Sequence, residues 1–237
     1  VGSEMCIRDR VTAGPTEEPI DAARLLTNRS SGAMGVLMAQ AARLRGAEVE
    51  LVHGPLQVPE AWMESLHCHP AASAKEMGIV LQRLQPGVDA IAMAAAVADL
   101  RRSADDPLIK AKPSKADLAA RLSSGWEPVP DLLAELAEGR PVGQTLLGFA
   151  ALTGDDDSLK RFGEDKRRRK GCDLMLVNPI DRAGQGFVHS CNGGWLLGDG
   201  WVQHCPTTSK LHLAHQLLDA LLAVRRPSPL SPAPPGR

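Results

Sequence analysis

The sequence predicts an α/β domain: a three-layer sandwich with a mostly parallel β-sheet, helices on both faces and a β-hairpin region late in the chain. Three observations predict it. Short apolar runs alternate with segments of helical period, the pattern of a parallel sheet whose crossovers are helices. VDAIAMAAAV, QTLLGFAAL and CDLMLVNP are apolar nearly throughout, as strands buried on both faces must be. Paired Asn-Gly and Asp-Gly turns crowd the stretch FVHSCNGGWLLGDGWVQHCP.

The elements follow in order. Val11 to Ala13 end a first strand, after which Gly14, Pro15 and Pro19 enforce a loop. Met34, Leu37, Met38, Ala41 and Leu44 recur at helical spacing up to Gly46. AEVELVHG alternates as a strand and stops at Gly54-Pro55, and residues 73 to 84 suit a helix. VDAIAMAAAV is the next strand. Residues 100 to 128, rich in Lys, Pro and Ser, read as irregular, and so long a loop in a domain is functional or mobile. PDLLAELAEG starts a helix with Pro130 near its first turn. Then come the strand QTLLGFAAL, the helix SLKRFGEDKRRRKG, the strand CDLMLVNP, one or two hairpins, and the amphipathic helix SKLHLAHQLLDALLAV.

Length and composition bound the function. The 237 residues fit one large domain, expected over residues 11–224. Residues 1–10 resemble a translated sequencing adapter and carry no functional argument, although part of them can enter the first strand. The Pro-rich residues 225–237 are expected to be disordered. A formal net charge of -1 gives no footprint for nucleic acid, and no apolar run is long enough for a membrane span. Five scattered cysteines without C-x-x-C argue against a disulfide framework and for a reducing cytoplasm.

Parallel sheets bind ligands beyond the carboxyl ends of their strands. Those ends here are TAG, MAAAVAD, GFAALT and VNPID. Ser30 and Ser31 precede a helix whose first-turn amides lack partners, and Gly32 and Gly35 permit close approach. Such a start attracts phosphate, and it equally suits a plain serine N-cap. Asn28 can aim a fixed amide at developing negative charge, or it simply tolerates a turn. The small residues after Met93 let a flat ligand approach the backbone, and Asp99 can accept from an amino group; the alternative is a tight strand followed by a capping aspartate.

Seven blocks, in order from about residue 11 to about residue 224, carry a resemblance: TAGPTEEPID, LTNRSSGAMG, MAAAVAD, VPDLLAEL, LLGFAALTGD, DKRRRKGCDLMLVNPID and TSK. Together they resemble the phosphopantothenate–cysteine ligase family, which often forms the C-terminal half of a bifunctional coenzyme A biosynthesis protein. The VPD and VNPID variants are similar to cyanobacterial members. The resemblance implies a Rossmann-like fold and a cytoplasmic, usually dimeric enzyme that joins 4'-phosphopantothenate to L-cysteine. It implies CTP with Mg²⁺ as cosubstrate and an acyl-cytidylate intermediate. A flavin-dependent decarboxylase domain preceding residue 11 is a further implied partner.

Residue by residue, the resemblance implies that Asn28 handles the phosphopantothenoyl group during acyl transfer. It assigns Met93, Ala94, Ala95 and Asp99 to the nucleotide, with Pro130, Asp131, Leu132, Leu133 and Phe149. Lys166 and Lys170, at i,i+4 on one helix face, match two lysines expected to meet the triphosphate. Ser30, Ser31 and Gly32 are the phosphate- or substrate-binding turn. Three departures stand out. The family's Lys-Ile-Lys-Lys-like loop is Pro107-Leu-Ile-Lys-Ala-Lys112 here, and a gapless match puts Leu108 at the first lysine. A shifted loop assigns the catalytic role to Lys110, with Lys112 the alternative. Leu152 replaces an acid after Gly-Phe-Ala-Ala, and Asn178-Pro179 replaces Asn-Asp.

Three other functional classes compete with this reading. A nicotinamide-dependent reductase lacks its glycine fingerprint, its ribose-binding acid and, without any tyrosine, a Tyr-x-x-x-Lys pair. A non-catalytic nucleotide-binding protein draws support from the altered lysine loop. A metal enzyme is suggested by His67, His69, His212 and His215, whose spacing is that of structural residues on a strand and a helix. Trp195 and Trp201 are expected on an exposed hairpin edge that a second copy covers.

Overall fold

The structure is a computed structural model that describes residues 8–105 and 112–225. An eight-stranded sheet forms its middle layer. Its parallel strands are β1 (Arg8–Ala13), β4 (Glu48–His53), β5 (His67–Pro70), β6 (Ala90–Met93), β9 (Thr145–Leu152) and β10 (Leu174–Pro179). A hairpin, β11 (Cys191–Gly198) and β12 (Trp201–Ser209), adds two antiparallel strands. The spatial order is β12-β11-β10-β9-β6-β1-β4-β5. Chain progression therefore reverses at the β1/β6 junction, the kind of switch point where open α/β sheets bind ligands.

Alternation within each strand explains the three layers. Along β10, Leu174 and Leu176 join the core beneath α1 (Ala33–Leu44) and α6 (Lys210–Val224), while Met175 and Val177 join the opposite core. That second core packs α2 (Ala74–Leu84), α4 (Leu132–Glu138) and α5 (Asp156–Arg169). All four β10 side chains are fully buried, each worth about 1.5–3 kcal/mol of transfer free energy. That demand makes the strand apolar throughout.

The observed elements differ from the sequence expectation in five places. The loop expected after Gly14 contains a small hairpin, β2 (Glu17–Asp21) with β3 (Arg24–Thr27); Asp21 Oδ1 accepts from Ala23 N–H at 2.8 Å and closes its turn. His67 and His69 lie on a strand as their alternation implies, but that strand, β5, joins the main sheet as a short edge strand absent from the expected series of elements. The irregular 100–128 stretch holds β7 (Leu100–Arg102), α3 (Lys115–Ser123) and β8 (Trp126–Pro128). Helix α3 buries no residue and starts on Ser114, whose Oγ accepts from Asp117 N–H, so it lacks the apolar stripe by which a helix is recognised. Pro130 lies outside α4, because Asp131 is the N-cap. Asn192-Gly193 is a bulge inside β11, and only Asp199-Gly200 turns the hairpin.

Two expectations about exposure also change. Trp195 and Trp201 are half-buried: Trp195 stacks near His204 and under the Lys160 ammonium, and Trp201 packs on the first core. Arg225, placed by sequence in the tail, is held by an ion pair to Asp89 at 2.6 Å.

Candidate functional site

Loops at the carboxyl ends of β1, β6, β9 and β10 enclose a cleft of about 450 Å³ at the β1/β6 junction. Its wall is a pair of loops fastened to each other. Ala96 N–H donates to the Gly14 carbonyl at 2.9 Å and Thr16 N–H to the Ala96 carbonyl at 3.2 Å. The hydroxyls of Thr12 and Thr16 accept from Ala95 and Ala98 N–H, both at 2.9 Å. Asn28 completes the fastening, its Nδ2 donating to the carbonyls of Ala96 (2.9 Å) and Val97 (3.3 Å).

That geometry corrects one expectation. Asn28 lines the cleft, but both its amide N–H groups are occupied by backbone carbonyls, so it is not poised as an oxyanion donor. The atom it leaves unengaged is Oδ1, an acceptor. The MAAAVAD stretch has the same polarity. The amides of Ala94, Ala95, Ala96 and Ala98 are all engaged, whereas the carbonyls of Ala94 and Ala95 accept no bond among the described residues. This wall therefore offers acceptors to a ligand's amino groups.

The serine turn is no ordinary serine cap. The N-cap of α1 is Gly32, left-handed at φ 80°, and it makes no side-chain cap hydrogen bond. The left-handed backbone there favours glycine, whereas the atom a Cβ would crowd, Leu56 Cδ2 at 2.2 Å, is the movable end of a side chain. Ser30 and Ser31 hydroxyls accept only long bonds from Gly32 and Ala33 N–H, at 3.3 and 3.4 Å. The amides of Met34 and Gly35 have no acceptor among the described residues, and both residues line the cleft.

The opposite rim carries charge. Asp131 caps α4 through Ala134 N–H and also accepts from Lys170 Nζ at 2.6 Å. Burial pushes its carboxyl up, but the Lys170 ammonium outweighs that and holds it below the usual carboxylate range. Lys166 is half-buried; burial first, then the neighbouring Lys170 and Arg169, hold its ammonium below the ordinary lysine range. Arg167, between them, turns inward to Glu164. Asp99 lines the cleft without an ion pair among the described residues. Pro130, Leu132, Leu133 and Phe149 also line it.

The cleft therefore gathers every predicted site residue except the lysine loop. Lys110 and Leu108 lie outside the described residues. Lys112 is exposed, on an excursion whose roots are tied by Val129 N–H to the Asp99 carbonyl at the cleft rim. Leu152, where the family has an acid, is half-buried against the second core, and Asn178 is buried at the cleft. His69 pairs with Glu50, and His215 accepts from Arg45 at 3.1 Å. Besides apolar and backbone lining, sequence reasoning gave no site role to two polar cleft residues, Asn192 and Lys210. Lys210 stands in the block TSK, to which the sequence attaches no individual role.

Comparison with known proteins shows the family. The model of the DNA/pantothenate metabolism flavoprotein C-terminal domain matches residues 8–224. The chain belongs to that family. The chain is 36% identical to the coenzyme A biosynthesis bifunctional protein CoaBC of Mycobacterium tuberculosis, covering 90% of this chain and 51% of that protein. It is 31% identical to the CoaBC of Bacillus subtilis, over 91% of this chain and 51% of that protein. The chain thus spans about half the length of these curated relatives. Among solved structures, the C-terminal domain of a CoaBC superposes with a TM-score of 0.70 at 29% identity, covering 91% of this chain and 93% of that one. A Streptococcus pneumoniae family member shares the fold at TM-score 0.70 and 20% identity, over 92% and 99% of the two chains.

Proposed function

We propose that this chain is a phosphopantothenate–cysteine ligase domain acting in coenzyme A biosynthesis. Membership of the family and the bifunctional coenzyme A relatives support the class of reaction. The observation that carries the chemistry is the cleft itself: an acceptor wall, a cationic rim and a phosphate-accepting helix start face one space at the switch point. In the first step a carboxylate oxygen of 4'-phosphopantothenate attacks the α-phosphorus of CTP, and pyrophosphate leaves. In the second, the cysteine amine attacks the acyl carbon, a tetrahedral centre collapses, and CMP departs.

The residues divide these tasks. The free Ala94 and Ala95 carbonyls suit the exocyclic amine of cytosine. Pro130, Asp131, Leu132, Leu133 and Phe149 enclose the nucleoside, while Lys166 and Lys170 offset triphosphate charge. Asn28 positions the acyl group: its Oδ1 accepts from an N–H of the pantothenoyl arm or of the incoming amine, and its Nδ2 keeps the wall in register. Lys110 is the proposed cation for the first step. Mg²⁺ arriving with CTP would neutralise charge around the α-phosphate, with Asp99 as the available carboxylate. Among the described residues no cluster of three metal-ligating side chains exists.

The test is pyrophosphate release with CTP, 4'-phosphopantothenate and L-cysteine together, and with ATP replacing CTP. Release that needs nucleotide and acid, with CTP preferred, supports the proposal. CTP binding without turnover would favour a non-catalytic nucleotide-binding protein, the reading that Leu108 at the key lysine position supports.

We also propose a homodimer built on the β12 edge, which leaves Val202 53% exposed. A monomer by light scattering at micromolar concentration would refute it. A flavin-dependent decarboxylase domain is the proposed further partner; the bifunctional names of the relatives, about half of whose length this chain spans, support a second domain. No helix of the described residues is long and apolar enough to cross a membrane.

A further inference from the structure

Lys210, the first residue of α6, is 4% exposed and lines the cleft. Its Nζ donates to the Phe187 carbonyl at 3.2 Å, and no carboxylate among the described residues pairs with it. Burial pushes its ammonium below the usual lysine range. A buried cation facing one neutral acceptor is costly unless a counter-charge arrives.

The neighbourhood is built to receive that charge. The same Phe187 carbonyl accepts from Ser31 Oγ at 3.4 Å, so the ammonium and the hydroxyl stand around one oxygen. Ser31 leads into α1, where the Met34 and Gly35 amides are without acceptors and the helix dipole favours an anion. Lys166 on α5 and Lys170, its C-cap, stand across the cleft from the start of α1, and Lys170 also pairs with Asp131.

We propose that Lys210 Nζ, Ser31 Oγ and the Met34 and Gly35 amides form a phosphate subsite, with Lys210 as its charged binding residue. The subsite takes a phosphate group from one of two sources: the pyrophosphoryl end of the nucleotide, or the phosphate monoester of the acid substrate. Only the identity of those ligands rests on the ligase proposal.

Titration calorimetry of the whole chain tests it. Wild type and Lys210→Met are titrated with inorganic pyrophosphate, CTP and 4'-phosphopantothenate, and with cytidine and pantothenate as phosphate-free controls. Lys210→Met should weaken pyrophosphate and one of the two substrates about tenfold or more, the usual scale for losing a charge-assisted hydrogen bond, and leave the controls unchanged. Whichever substrate weakens is the source. Equal affinity of wild type and variant for all three phosphates overturns the subsite, as does a wild type that binds none of them. If Lys210→Met does not fold, Ser31→Ala must show a smaller phosphate-dependent loss, and unchanged affinity there overturns it equally. Lys210-dependent pyrophosphate binding without turnover would sink the ligase proposal and keep the subsite. Turnover with Lys210-independent binding would do the reverse.

Discussion

Gly35→Ala tests whether the start of α1 owes its position to close contact with β1. A Cβ at residue 35 would lie 2.3 Å from the Thr12 carbonyl oxygen and 2.7 Å from Ala13 Cβ. Ordinary contact begins at 3.4 Å, so the helix start must retreat by about 1 Å, and neither neighbour is a flexible side-chain end. Overpacking of this kind costs about 1–3 kcal/mol, and the helix propensity gained by replacing glycine returns about 1 kcal/mol. The net expectation is a loss of up to about 2 kcal/mol, read from urea midpoints at unchanged slope. Gly78→Ala is the control: its Cβ meets only Leu132 Cδ2, at 3.0 Å, and α2 should be unchanged or slightly more stable. Because α1 forms the phosphate end of the cleft, a 1 Å retreat should also slow turnover about 100-fold. A Gly35→Ala protein with wild-type stability and turnover would refute the geometry.

Asn28→Ala removes two hydrogen bonds that fasten the cleft wall, and should cost about 1–3 kcal/mol in stability while slowing acyl transfer; an intact rate in a pre-steady-state assay would remove Asn28 from the mechanism. Lys110→Gln should stall pyrophosphate release and Lys112→Gln should not, and the reverse result would move the first-step role to Lys112. Asp131 has a depressed folded pKa, so its contribution to stability is fully present above the unfolded carboxyl value of about 3.9 and is lost as pH falls through the folded one. Lys170→Met should flatten that acid-side loss between about pH 4 and the folded pKa, measured by denaturant midpoints, and an unchanged pH profile would show the ion pair to be incidental.

Much of the fold was legible because burial on both sheet faces leaves a strong mark. Leu174 to Val177 had to be apolar at every position, and Met34, Met38 and Ala41 on the buried face of α1 had to keep helical spacing, although Leu44, read into the same stripe, is exposed. What escaped is held by polar devices. The β2–β3 hairpin turns on Asp21, and α3 stands on the Ser114 cap with nothing buried. Cleft residues were legible where they sit in strand-end blocks, such as Asn28 and Met93 to Asp99. Two features were not. The donors of Asn28 face inward because the Ala96 and Val97 carbonyls, remote in sequence, come to meet them. Lys210 is buried because the Phe187 loop folds over it, which no spacing near residue 210 announces.

The central claim is that this cleft activates a carboxylate on a nucleotide before an amine takes it. The most direct measurement omits cysteine: the enzyme is mixed with CTP and 4'-phosphopantothenate, quenched within a turnover, and examined by mass spectrometry. An acyl-cytidylate formed with one equivalent of pyrophosphate, and consumed to CMP and phosphopantothenoylcysteine when cysteine is added, is the predicted result. Product that forms with no acyl-cytidylate at any time, or an acyl-cytidylate that cysteine does not consume, would contradict it.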